Sequence, residues 1–126
     1  MRHALKYSGW WLAGGCVLVA VVVGGSLAPS GIDELPLPSD KINHLLAYFV
    51  LMIWFGGIYR NAVHWRVAVA LTALGIALEW LQQLGGARQG DVMDFLANSG
   101  GVLLGLVASA LIPGGWCRHA ERLFGH

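Results

Sequence analysis

The stretch YSGWWLAGGCVLVAVVVGGSLA, residues 7–28, decides how the rest of the chain is read. It carries no charged side chain, and its length meets the roughly 20 residues a helix needs to cross hydrocarbon. A secretory signal is the competing reading, since Arg2 and Lys6 precede it and Ser26-Leu27-Ala28 resembles a small-x-small cleavage site. The apolar run, however, is longer than the about 7–15 residues of a signal core. Leu12-Ala13-Gly14-Gly15-Cys16 is also a poor lipoprotein box, because the apolar run continues past the cysteine. A retained membrane helix is expected.

Working outward, three more apolar stretches of similar length follow, at about 41–59, 67–85 and 94–112. Pro29, Pro36 and Pro38 mark the first connection as irregular, and Pro113, Gly114 and Gly115 end the fourth stretch. Only 12% of the 126 residues are charged and 56% are hydrophobic, against roughly 25% charged in a soluble domain. Lipid can cover such an exterior, and in lipid an isolated segment satisfies its backbone only as a helix. The expected fold is all-α: a single polytopic membrane domain over 1–126, built as a four-transmembrane-helix bundle.

Orientation follows from the basic residues. Arg2, Lys6, Arg60, Arg66, Arg118 and Arg122 fall on one side of these four spans, leaving Lys41 and Arg88 on the other. Asp33, Glu34, Asp40, Asp91 and Asp94 fall with the minority. Both chain ends are therefore expected in the cytoplasm, in a multi-pass membrane protein. Trp10, Trp11, Trp65 and Trp116 fit a cytoplasmic aromatic belt, with Trp80 near the opposite interface. Cys16 and Cys117 are expected as free thiols, with no metal-ligand spacing. The net charge of +1, without a basic tract, argues against a nucleic-acid partner.

The polar residues that could do chemistry gather at the non-cytoplasmic ends of spans two to four. Asp40, His44 and Tyr48 recur every four residues along one helical face, with Lys41 beside them. Glu79, Gln82 and Gln83 close span three, and Arg88 lies in the next connection. Asp91, Asp94, Asn98, Gly101 and Gly105 share one face of span four. Plainer roles compete: Asp40 and Asp91 suit helix N-termini, and Gly101-x-x-x-Gly105 suits close helix packing. Glu79 is harder to assign to structure alone, because a carboxylate within a span costs about 2.5–3.5 kcal/mol on insertion scales. It needs Arg88, His44, Lys41 or water beside it.

Asp40-Lys41-x-x-His44, then Glu79-x-x-Gln82, then Arg88, then Asp94-x-x-x-Asn98-x-x-Gly101-x-x-x-Gly105 resembles the VanZ-like family. The resemblance covers about residues 40–105, with Gly85-Gly86-Ala87 standing where members often carry a proline-containing turn. It implies a small bacterial membrane protein. The founding member is associated with resistance to the glycopeptide teicoplanin, and no settled catalytic residues come with the family.

Three functions are weighed. An outward-facing pocket of Asp40, Lys41, His44, Glu79, Gln82, Arg88, Asp94 and Asn98 would engage a lipid-linked or cell-wall-related ligand. Lys41 and Arg88 would hold a phosphate or carboxylate, while Gln82 and Asn98 orient it. An enzyme acting on such a ligand would use His44, Glu79 and Asp94, either for proton transfer or as carboxylate-rich metal ligands, though no metal or cofactor is expected. A structural or partner-binding module would instead use the Gly101/Gly105 face against another helix or a second copy.

Overall fold

A computed structural model describes residues 7–27, 40–59, 61–85, 92–112 and 115–124. Five α-helices occupy them: α1 (Ser8–Leu27), α2 (Asp40–Ile58), α3 (His64–Gly85), α4 (Val92–Ala110) and α5 (Trp116–Phe124). A short 3-10 turn, Asn61–Val63, leads into α3. The fold of the described residues is all-α. Within it, the segment Ser8–Gly25 of α1 is long and apolar enough to cross a membrane; the apolar segments Ile42–Ile58 and Phe95–Ala110 are shorter.

The centre of the fold is the α2–α4 pair. Tyr48, Leu51 and Met52 of α2 are buried with Val102 of α4 and Leu71 of α3. This closeness depends on small residues. A Cβ added at Gly101 would collide with the carbonyl oxygen of Leu45 and stand 3.0 Å from the Phe49 nitrogen. One added at Gly105 would stand 2.6 Å from Met52 Cβ. The Gly101/Gly105 stripe is thus packed against α2 of the same chain. The physical reason is that small side chains let two backbones approach closely, and here the nearest suitable backbone is intramolecular.

Contacts along this pair also set direction. Gly101 meets Leu45, Gly105 meets Met52, and Gly56 meets Ser109, so both helices advance the same way. At one end α2 and α4 begin and α3 finishes. At the other, α1 and α3 begin while α2 and α4 finish, as Trp11 against Trp54 and His64 against Gly56 show.

That second end is held by an aromatic knot. Trp11, Trp54 and Trp116 pack with ring centroids 5.2–5.6 Å apart in tilted and edge-on geometries, arrangements that suit the ring quadrupoles. Each indole N–H has an acceptor: Trp54 donates to Trp11 O at 2.8 Å, Trp116 to Ile53 O at 2.7 Å, and Trp11 to Glu121 Oε2 at 2.7 Å. The same Glu121 oxygen accepts from the Tyr7 backbone at 2.8 Å. Trp10, Trp65 and Trp80 are exposed, as belt residues would be, but Trp11 and Trp116 face inward.

His64 does structural work beside the knot. Its Nε2 lies 2.8 Å from Gly56 O and 2.9 Å from Tyr59 O. Both neighbours are carbonyls, so Nε2 must carry the proton and donate. Gly56 is in the last turn of α2, where carbonyls lack helical partners. Burying this imidazole therefore closes the helix end.

Helix α5 is a strongly amphipathic element after the turn at Gly115, whose φ of 85° is a backbone shape that favours glycine. Trp116 and Cys117 face the bundle, while Arg118, His119, Arg122, Leu123 and Phe124 are exposed. Burial, with a smaller contribution from Glu121, pushes the Cys117 thiol up to about 12. The reactive thiolate is then depleted on the order of a thousandfold relative to a thiol of pKa 9. In the folded protein, Cys117 is expected to resist maleimide at pH 8 and to react once denaturant is added. With the exposed Cys16 replaced by serine, so that Cys117 is the single thiol, labelling of the folded chain at the rate of a free thiol would contradict this packing.

Candidate functional site

The sequence-derived candidates are placed by α2, α3 and α4 at the end opposite the tryptophan knot. Asp40 and Lys41 open α2, Gln82 lies in the last turn of α3, and Asp94 lies in the first turn of α4. Their side chains, and Arg88 altogether, lie outside the described residues. His44 and Glu79 are half-buried, whereas Tyr48 and Asn98 are almost wholly buried.

The geometry is clearest one turn into the bundle. A Cβ added at Gly75 of α3 would stand 3.1 Å from Asn98 Nδ2 and 3.5 Å from the Tyr48 hydroxyl. The phenol of α2 and the amide of α4 therefore both converge on the bare backbone of α3. Glu79 lies one helical turn further along α3.

A shared level follows from this register. His44 precedes Tyr48 by four residues, Glu79 follows Gly75 by four, and Asp94 precedes Asn98 by four. Given the helix directions, all three positions stand about 6 Å beyond the Tyr48–Gly75–Asn98 contact. The backbone thus brings the three proton-transfer candidates to one layer of the bundle. Gly75 is an addition to the sequence-derived set. Tyr48 was visible through its four-residue spacing from His44, but nothing local marked Gly75.

At this end of the bundle, hydrogen-bond capacity is left over. The side-chain oxygens of Asn43, Asn98 and Ser99 are buried with no hydrogen-bond partner among the described residues. A buried acceptor without a donor costs about 1–3 kcal/mol. Such groups are uncommon in folded proteins unless a water, ion or ligand completes them. Chemically, this end can accept hydrogen bonds through Asn98 and donate through the Tyr48 hydroxyl. Among the described residues, no group of three His, Cys, Asp or Glu side chains converges as metal ligands would.

Comparison with known proteins adds no relative: no family model, no curated protein and no solved structure matches the chain.

Proposed function

We propose that the chain is a four-span protein of the bacterial inner membrane, oriented with the tryptophan end in the cytoplasm. Its outward-facing polar layer would engage the phosphate or carboxylate head group of a lipid-linked, cell-wall-related ligand. Helices α1 to α4 have 19–22 residues each, or about 28–33 Å, which suits a hydrocarbon core of about 30 Å. Large apolar side chains such as Val21, Val50, Val69, Ile76, Leu103 and Val107 are exposed on all four, a surface that lipid would cover. Helix α1 is rich in Val and Gly yet scarcely buried. Such a helix would be marginal in water, where each Gly costs about 1 kcal/mol, whereas hydrocarbon enforces backbone pairing.

The observation that carries the functional reading is the orphaned carbonyl of Asn98 beneath the layer of His44, Glu79 and Asp94. Lys41 and Arg88 would supply positive charge to the head group, and Gln82 and Asn98 would orient it. The resemblance to VanZ-like proteins extends the proposal to a cell-wall setting of the kind associated with teicoplanin resistance.

The test separates ligand binding from folding. Asn98→Leu removes an acceptor that has no partner among the described residues, so stability in detergent should change by less than about 1 kcal/mol. Retention of envelope lipid precursors, read by native mass spectrometry, should nevertheless be lost. Arg88→Gln should weaken retention by about tenfold or more, the scale of a charged hydrogen bond, whereas Glu79→Gln, which removes a negative charge near the anionic head group, should strengthen it. Unchanged retention in all three variants would rule out this layer as the binding site.

A further inference from the structure

A second candidate site lies away from the polar layer. A groove with a cavity volume of about 360 Å³ runs between α1, α2 and the first half of α3. Val19, Phe55, Leu71 and Leu74 line its walls, and the lining is almost entirely apolar. Tyr59 and Arg66 join that lining where α2 ends and α3 begins. From Arg66 to Leu74 the groove follows α3 for eight residues, about 12 Å. The volume falls in the about 300–1,000 Å³ range of small-molecule sites.

We propose that this groove binds one anionic phospholipid of the cytoplasmic leaflet, with an acyl chain between α1 and α3 and the phosphate at Arg66. The choice of occupant rests on charge complementarity. The guanidinium of Arg66 lies 5.4 Å from the Trp65 ring centroid, and Trp65 is itself exposed. An Arg beside an exposed Trp at one end of an apolar helix is where a headgroup phosphate stands. Basic pockets between membrane helices on the cytoplasmic side bind anionic headgroups, and a planar guanidinium holds a phosphate through paired hydrogen bonds. The apolar walls contribute the other half, since burying methylene groups of the chain is favourable beside matching side chains.

The proposal rests on the four-span orientation but not on the polar layer. The full chain in mild detergent is titrated with phosphatidylglycerol or phosphatidylcholine of identical acyl chains, and bound lipid is counted by native mass spectrometry. One phosphatidylglycerol should be retained in preference. Arg66→Gln should reduce that preference about fivefold, the factor one basic side chain supplies near an anionic surface, and Arg66→Lys should restore most of it. Ala70→Trp, at an exposed position in the groove wall, should reduce retention of both lipids. A preference untouched by Arg66→Gln, or retention untouched by Ala70→Trp, overturns the site. Displacement of the lipid by excess inorganic phosphate would overturn the acyl-chain component. The orientation is read separately, by impermeant maleimide on intact cells: His44→Cys should label and Arg118→Cys should not. Failure there sinks the four-span orientation irrespective of the lipid titration.

Discussion

Gly101→Leu is expected to unfold or grossly loosen the protein, while Gly100→Ala, one residue earlier, is expected to be harmless or stabilising. A Cβ at position 101 meets the Leu45 carbonyl and the Phe49 nitrogen, which are backbone atoms of α2 and cannot rotate away. Relief requires α2 and α4 to separate along their whole contact, exposing the packing of Tyr48, Met52 and Val102. Overpacking ordinarily costs about 1–3 kcal/mol and more when the backbone must move, so a loss above about 3 kcal/mol is expected. For a chain of this size that corresponds to a fall in melting temperature of roughly 10 °C or more. A Cβ at position 100 finds only Leu45 Cδ1, at 4.0 Å. Replacing a helical glycine by alanine with room to spare gains about 0.5–1 kcal/mol. Thermal unfolding in detergent reads both. Equal behaviour of the two variants would mean that α2 does not lie on this face.

Trp116→Ala should have the second largest effect, and a more local one. The indole packs on both Trp11 and Trp54 and donates to Ile53 O. Its removal leaves a cavity among three elements and a carbonyl without its donor. Large aromatic truncations cost about 3–5 kcal/mol. Most of that should appear as release of α5, because the rest of that helix is mainly solvent-facing. Limited trypsin digestion should then cut after Arg118 and Arg122 while the remaining chain stays intact. Gly57 leaves space for this ring, since a Cβ there would run into it; Gly57→Ala should therefore show the same digestion pattern. Resistance of both variants to trypsin would indicate that the knot does not hold α5.

The glycine stripe of α4 illustrates why the sequence could not decide which helix packs against it. Gly101 and Gly105 sit on one face of a helix by spacing alone, and that spacing is equally suited to α2 or to a second copy. The packing against α2 comes only from the tertiary structure, through atoms of Leu45, Phe49 and Met52 about 50 positions away in sequence. The polar layer divides in the same way. His44, Glu79 and Asp94 were visible as types near helix ends, whereas their common level depends on Tyr48, Gly75 and Asn98 meeting. Gly75 carried no local signal, because a glycine within an apolar run is identified as a meeting point only by what approaches it.

What the sequence determined by itself is the all-helical character and the approximate extent of α1 to α4, because backbone pairing in a helix and apolar length are local properties. It also placed the candidate polar residues near the same helix ends. Helix α5 went unread, since its nine residues are short and its apolar face, Trp116 and Cys117, acquires meaning only from the bundle it meets. The tertiary structure alone decided the tryptophan knot, whose hydrogen bonds join residues 43, 63 and 110 positions apart. Such contacts form only after the helices have been brought together, and the cost of closing so long a chain segment is repaid by packing that no single window of sequence contains.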